Sequence, residues 1–203
     1  MKDIAILLFD GFEPLDVYGP AEVFGCIERL DTSGKAPHII YCSLEGGIVH
    51  GSFNTDVQTI ALSAVQDGVT MLIPGGPGTR VLVKDQEFLR TLRQQLPRFS
   101  QLLTVCTGSA VLAATGAIDG RRATSNKRSF TWVTSVREEV HWIGHARWVI
   151  DGDLVSSSGV SAGIDMALDV TARSYGRAFA QSLSTVIEYV WNDKSEEDPF
   201  AAV

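Results

Sequence analysis

Leu102-Leu103-Thr104-Val105-Cys106-Thr107-Gly108-Ser109-Ala110-Val111-Leu112-Ala113-Ala114-Thr115-Gly116 is the stretch that decides the fold. An apolar strand enters, small residues crowd a turn, and an alanine-rich helix leaves toward a glycine stop. In an open α/β sheet, sites form outside the carboxyl ends of strands, which is where Cys106 projects. A thiol at a helix N-terminus feels the positive end of the helix dipole and nearby free N–H groups, which favours its thiolate. Gly108 and Ser109 leave room for a sharp turn, as small residues do around the nucleophile of other strand–turn–helix elbows. Cys106 therefore reads as a nucleophile. Cys26, on the apolar face of a helical pattern, and Cys42, inside a strand pattern, have no elbow and read as core residues.

Working outward, β-branched and apolar runs recur at Ile4 to Phe9, Ile39 to Ser43, Thr70 to Ile73 and Leu102 to Val105. Between them, Pro20 to Leu30 and Asp85 to Leu96 carry apolar residues at helical spacing. That alternation predicts one α/β domain over residues 1–203, an α/β/α sandwich of flavodoxin-like type around a mostly parallel sheet. Gly46 to Val57 reads as a small hairpin excursion. Arg122 to Ser125, Ala146 to Ile150 and Leu154 to Ser157 read as further strands, the last two joined by the turn dipeptide Asp151-Gly152. Ile164 to Trp191 reads as helical, divided or kinked at Gly176, and Asn192 to Val203 as an extended tail.

The 203 residues carry a net charge of -7 and no Lys/Arg block, which argues against nucleic acid as a partner. No apolar run is long enough for a membrane-spanning helix, and the first strand lacks the features of a signal peptide. Three cysteines without CxxC spacing argue against a disulfide framework or thiolate metal site and fit a reducing cytoplasm. The four histidines are scattered; His141 and His145 have i,i+4 spacing without the glutamate of a zinc motif, so no metal is expected.

Asp16 follows the first strand and precedes a helix read as opened by Pro20, on the same sheet edge as Cys106. A thiolate adding to carbon needs a proton delivered nearby, and a carboxylic acid within reach supplies it. Burial beside a thiolate would raise that acid's pKa. Pro74-Gly75-Gly76-Pro77-Gly78 follows an apolar strand as a turn whose N–H groups can face developing negative charge. It matches no nucleotide-binding loop, so no cofactor is expected.

The turn VCTGSAVLAATG followed by GRRATS resembles the ThiJ/PfpI superfamily, part of the class I glutamine amidotransferase-like fold. FDGFEPLDVYGPAEVF, IPGGPGT and GVSAGIDMAL resemble the same family in the same order, spanning nearly the whole chain. Within it the chain is most similar to isocyanide (isonitrile) hydratases and to the amidase-like domain of AraC-type regulators. The resemblance implies Cys106 as nucleophile, Asp16 as its acid, and a pocket framed by Gly76 and the N–H of Thr107. Other branches place a glutamate near the cysteine, which makes Glu13 and Glu22 the backup acids. It also implies a homodimer.

Two departures shape the expected chemistry. PfpI-type peptidases place histidine directly after the nucleophile, where this chain has Thr107. Many hydratase-like relatives continue into Thr-His-Trp, where this chain has Ser125-Asn126-Lys127, and Asn126 is no general base. A Cys–Asp pair without histidine suits addition to a strong, small-molecule electrophile. Isocyanide hydration through a Cys106 thioimidate is therefore expected, with a cofactor-free glyoxalase, an oxidative-stress sensor or a ligand-binding module as alternatives.

Overall fold

The computed structural model describes residues 1–201. The sheet is built from β1 (Ile4–Leu7), β2 (Ile39–Ser43), β3 (Glu45–Gly51), β4 (Thr55–Ala61), β5 (Thr70–Ile73) and β6 (Gln101–Thr104). After two short strands outside it, β7 (Arg122–Ala123) and β8 (His141–Trp142), β9 (Trp148–Asp151) and β10 (Leu154–Ser157) complete it. Its order is β3-β4-β2-β1-β5-β6-β10-β9. All neighbours run parallel except the two edge pairs, β3 with β4 and β9 with β10, which are antiparallel. The central strands β1, β5 and β10 are buried along their full length, which is why they read as continuous apolar or small-residue runs instead of alternating ones.

The helices are α1 (Pro14–Gly25), α2 (Thr79–Leu82), α3 (Gln86–Gln95), α4 (Gly108–Ala114), α5 (Phe130–Val136), α6 (Ala162–Tyr175) and α7 (Arg177–Val186). α1 packs on α6, and α4 on α5 and β5. α3 matches its sequence pattern closely: Asp85 caps it by accepting from the N–H groups of Glu87 and Phe88, and Phe88, Leu89 and Leu92 are buried. No described helix is long and apolar enough to cross a membrane.

Chain order reverses beside β1: β2 lies on one side and β5 on the other. Such a switch point leaves a crevice at the carboxyl ends of the strands. The loops leaving β1, β5, β6 and β10, four consecutive strands of the sheet, open there.

Several boundaries differ from the sequence reading. The first helix begins at Pro14, not Pro20, and gives way at Cys26 to a 3-10 turn through Arg29. Pro14 opens the helix because the first turn does not use its missing N–H. Asp16 accordingly lies within the first turn. The strand expected over Arg122 to Ser125 is only Arg122–Ala123 and pairs with β8. It stops because Thr124 donates its N–H to Ser156 Oγ and its hydroxyl to the Ile143 carbonyl. The helical tail divides at Gly176 (φ 92°) and ends at Val186, not Trp191. Beyond it Tyr189 and Trp191 turn back to bond Asp165. Residues 192–201 run without helix or strand; the end of the expected tail, residues 202–203, lies outside the described residues.

Candidate active site

Cys106 joins β6 to α4 with φ at 58°, a left-handed conformation that costs a non-glycine residue roughly 1–3 kcal/mol. Its backbone is held there from both ends. The N–H donates to the Ser158 carbonyl at 2.9 Å, and the carbonyl accepts the hydroxyls of Ser125 at 2.9 Å and Ser109 at 3.0 Å. Gly108 is required beside it, since a Cβ would run into the Ile73 carbonyl.

Asp16 is fully buried. Its Oδ2 accepts the Gly75 N–H at 2.8 Å, while its Oδ1 has no partner among the described residues. Gly75 permits this convergence: a Cβ there would sit 2.6 Å from both the nitrogen and Oγ1 of Thr107 and 2.8 Å from Asp16 Oδ2. Burial pushes the Asp16 carboxyl up to about 7, against the lowering by the Gly75 N–H; the Glu13 charge adds to the rise and the Cys106 thiol opposes it. The thiol is near enough to influence Asp16, yet it forms no strict hydrogen bond with the unpartnered Oδ1.

Burial also pushes the Cys106 thiol up, to about 12, and the Asp16 charge adds to this. The N–H groups of Val160 and Thr107 and the side chain of Asn126 pull it down, but by less. The thiolate expected from the helix dipole is thus outweighed: α4 spans seven residues, and it faces a desolvated sulfur beside a carboxylate. The pair is a buried thiol and a carboxyl that titrates near neutrality.

The other site residues separate clearly. Thr107 is buried, and its Oγ1 accepts the Gly76 N–H at 3.1 Å and lies 3.0 Å from the Thr79 hydroxyl. The Gly76 N–H is therefore engaged instead of free to meet developing charge, while the Thr107 N–H does face the sulfur. Glu13 is the half-buried N-cap residue of α1, close enough to raise Asp16. Glu22 is exposed and accepts the Cys26 thiol at 3.0 Å, so it is not brought to the site.

Asn126, noted in the sequence only as the residue standing where relatives carry histidine, and Val160, in a small-residue segment that the resemblance places at the border of the pocket, both join the site as partners of the thiol. Asn126 Oδ1 accepts the Ser129 N–H at 3.0 Å, capping the turn that follows and leaving its amide nitrogen for the sulfur. An Asn three residues before a Ser at a helical start is the available signal. Val160, at φ 30°, follows Gly159, which a Cβ would drive into Asn126 Nδ2. Nothing in the sequence announces that strained loop except its small residues.

Asp165 is also buried, in ion pair with Arg147 at 2.7 Å from Nε. It accepts the Tyr189 hydroxyl at 3.1 Å and the Asn192 N–H at 2.9 Å, so it packs the C-terminal segment against the sheet.

Comparison with known proteins agrees with this architecture. An isonitrile hydratase of Pseudomonas putida is 28% identical over 92% of this chain and 78% of its own length. The HTH-type transcriptional regulator CdhR of Pseudomonas aeruginosa is 27% identical over 90% of this chain and 54% of its own. The crystal structure of a ThiJ/PfpI family protein from Pseudomonas syringae superposes with a TM-score of 0.75 at 24% identity, covering 92% of this chain and 74% of that one. The profile of the DJ-1/PfpI family matches residues 2–173, from the first strand through most of α6. The chain belongs to the DJ-1/PfpI family.

Proposed function

We propose that this protein is a cysteine-dependent hydratase that adds water to an isocyanide to give an N-substituted formamide. The observation that carries the reading is the buried Cys106–Asp16 pair, a thiol beside a carboxyl raised to about 7, with the Thr107 N–H and Asn126 side chain on the sulfur. Similarity to isonitrile hydratase supports the same reading.

An isocyanide adds a nucleophile and a proton at one carbon, so the site must supply both from nearly one place. Ionised Asp16 accepts the Cys106 proton as the sulfur attacks the terminal carbon, then delivers that proton to the same carbon. A C–S and a C–H bond form, leaving a thioimidate. Water, deprotonated by the returned Asp16 carboxylate, adds to the thioimidate carbon, and nitrogen takes up a proton. Collapse breaks the C–S bond, releases the formamide and restores the thiol. Histidine is not needed, because one carboxyl moves every proton. The Thr107 N–H and Asn126 steady the sulfur while it is anionic.

The test is turnover of p-nitrophenyl isocyanide, with the formamide identified by NMR. In deuterated water the formyl carbon should carry deuterium, and Cys106→Ala should abolish turnover. Absence of formamide from both aryl and alkyl isocyanides at high protein concentration would sink the assignment.

Similarity to the regulator supports one second reading, a ligand-binding module. It would show as saturable binding of a small molecule without consumption.

A further inference from the structure

A cleft of about 250 Å³ opens beside the nucleophile's backbone: Ser158, whose carbonyl accepts the Cys106 N–H at 2.9 Å, lines it together with Asn126 and Val160, the thiol's own partners. Lys127, Arg128, Gly159, Ser161 and Phe200 complete its lining. The lining is mostly apolar. Lys127 contributes no free charge, because its ammonium is bonded to Thr124 Oγ1 at 2.7 Å and the Ala146 carbonyl at 2.6 Å. Arg128, also in the lining, is exposed.

Phe200 is 71% exposed, an aromatic ring left in water at the edge of this cleft. Its position is built, not incidental. Asp198 is buried, and its Oδ1 accepts the Phe200 N–H at 2.9 Å. The same carboxyl lies 3.8 Å from Arg147 and 3.9 Å from Lys127, and the Asp198 N–H reaches the His145 carbonyl at 2.9 Å. Buried charges thus fasten the C-terminal segment so that Phe200 is held in the lining of the cleft that it shares with Ser158, Asn126 and Val160.

We propose that this cleft is the subsite for the organic group of the substrate, that it takes an apolar group of aryl size, and that Phe200 is a specificity-determining residue. The proposal rests on the Cys106 site described above and deepens its hydratase reading by naming the substrate class: isocyanides with an aromatic or bulky aliphatic substituent. Water leaves the ring and the substrate together when they meet, which is the source of the preference.

The test uses two probe pairs. For turnover, the kcat/KM ratio of phenyl to methyl isocyanide is measured in the wild type and in Phe200→Ala, and the ratio should fall about tenfold, the low end for one apolar contact. For chemistry that does not depend on hydration, Cys106 is alkylated with N-phenylmaleimide and N-methylmaleimide, the thiol adding across the ring double bond. Peptide mass spectrometry separates Cys106 from Cys26 and Cys42. The phenyl-to-methyl rate ratio, divided by the same ratio for free cysteine, should exceed one in the wild type and return toward one in Phe200→Ala. Phe200→Leu should retain part of it. A normalised ratio near one in the wild type, or one unchanged in Phe200→Ala, overturns the subsite. A Phe200-dependent maleimide preference without isocyanide turnover keeps the subsite and rejects hydration.

Discussion

Replacing Asp16 by asparagine should shift stability in favour of the variant as pH rises. In the folded chain burial raises this carboxyl from 3.8 to about 7. An acid with a raised folded-state pKa holds a proton that the unfolded chain has already released. Wild-type stability is therefore greatest below the unfolded pKa, falls as pH climbs from about 4 to about 7, and is level above. Between pH 4.5 and 8.5 the loss is about 3 kcal/mol, from 1.36 kcal/mol for each pH step up to the folded value. The Asp16→Asn variant has no such proton to lose, and its side-chain carbonyl would still accept the Gly75 N–H. Its NH₂ would occupy the place of the unpartnered Oδ1, a burden of about 1–3 kcal/mol that does not vary with pH. That burden sets only the offset between the two proteins at pH 4.5; the growth of the gap belongs to the carboxyl alone. Urea denaturation of both proteins from pH 4.5 to 8.5 reads it directly, as would a shift of about 9 °C in the Tm difference. A gap that stays flat, or moves in favour of the wild type as pH rises, would refute the burial of a titrating carboxyl at this position.

Three further outcomes test the construction around that carboxyl. Gly75→Ala forces a methyl between Thr107 and Asp16 and should lower stability by about 2–3 kcal/mol in denaturant titrations while removing turnover. Asn126→Ala removes a donor from the sulfur and the cap on Ser129; thiol alkylation should shift to higher pH, and kcat should fall about 10–100-fold, with stability reduced by about 1 kcal/mol. Arg147→Met leaves Asp165 buried without its cation and should cost about 3–5 kcal/mol in thermal or urea unfolding, loosening the segment that carries Phe200.

The elbow is legible in the sequence because its physics is local: an apolar strand, two small residues and an alanine-rich helix leave few alternatives, and Cys106 sits where they dictate. The same holds for β2, β5, β10 and α3, whose patterns and caps agree. The beginning of α1 departs from its sequence reading because two prolines compete to open it, and only packing shows that Pro14 does so while Pro20 is carried inside. The protonation of Cys106 departs for a different reason. Helix position is visible in a sequence, whereas desolvation depends on everything folded over the thiol, and here burial is the larger effect. Asn126 is visible in the sequence only as a departure from relatives that carry histidine; its role as a donor to the sulfur stays hidden because it rests on a loop distant in the chain, where Val160 and Gly159 lie against it.

A thiol pushed to about 12 looks like a poor nucleophile until the pair is considered as one unit. Above pH 7 Asp16 is ionised and Cys106 is not, so the pair holds a single proton. Moving that proton from sulfur to carboxyl creates no new charge and leaves the count unchanged. Each donor on the sulfur favours that shift, whereas burial makes either anion costly and so acts on both sides of it. An acyl substrate would draw on the same stored proton for its departing amine, whereas an isocyanide would take it at the carbon that the sulfur attacks. A site that stores one proton beside its nucleophile, on a carboxyl poised near 7, is compatible with the proposed hydration. The pH profile of turnover should therefore rise through about 7 as Asp16 becomes able to accept the thiol proton, and Asp16→Asn, which leaves no group to move that proton, should abolish turnover across the whole range.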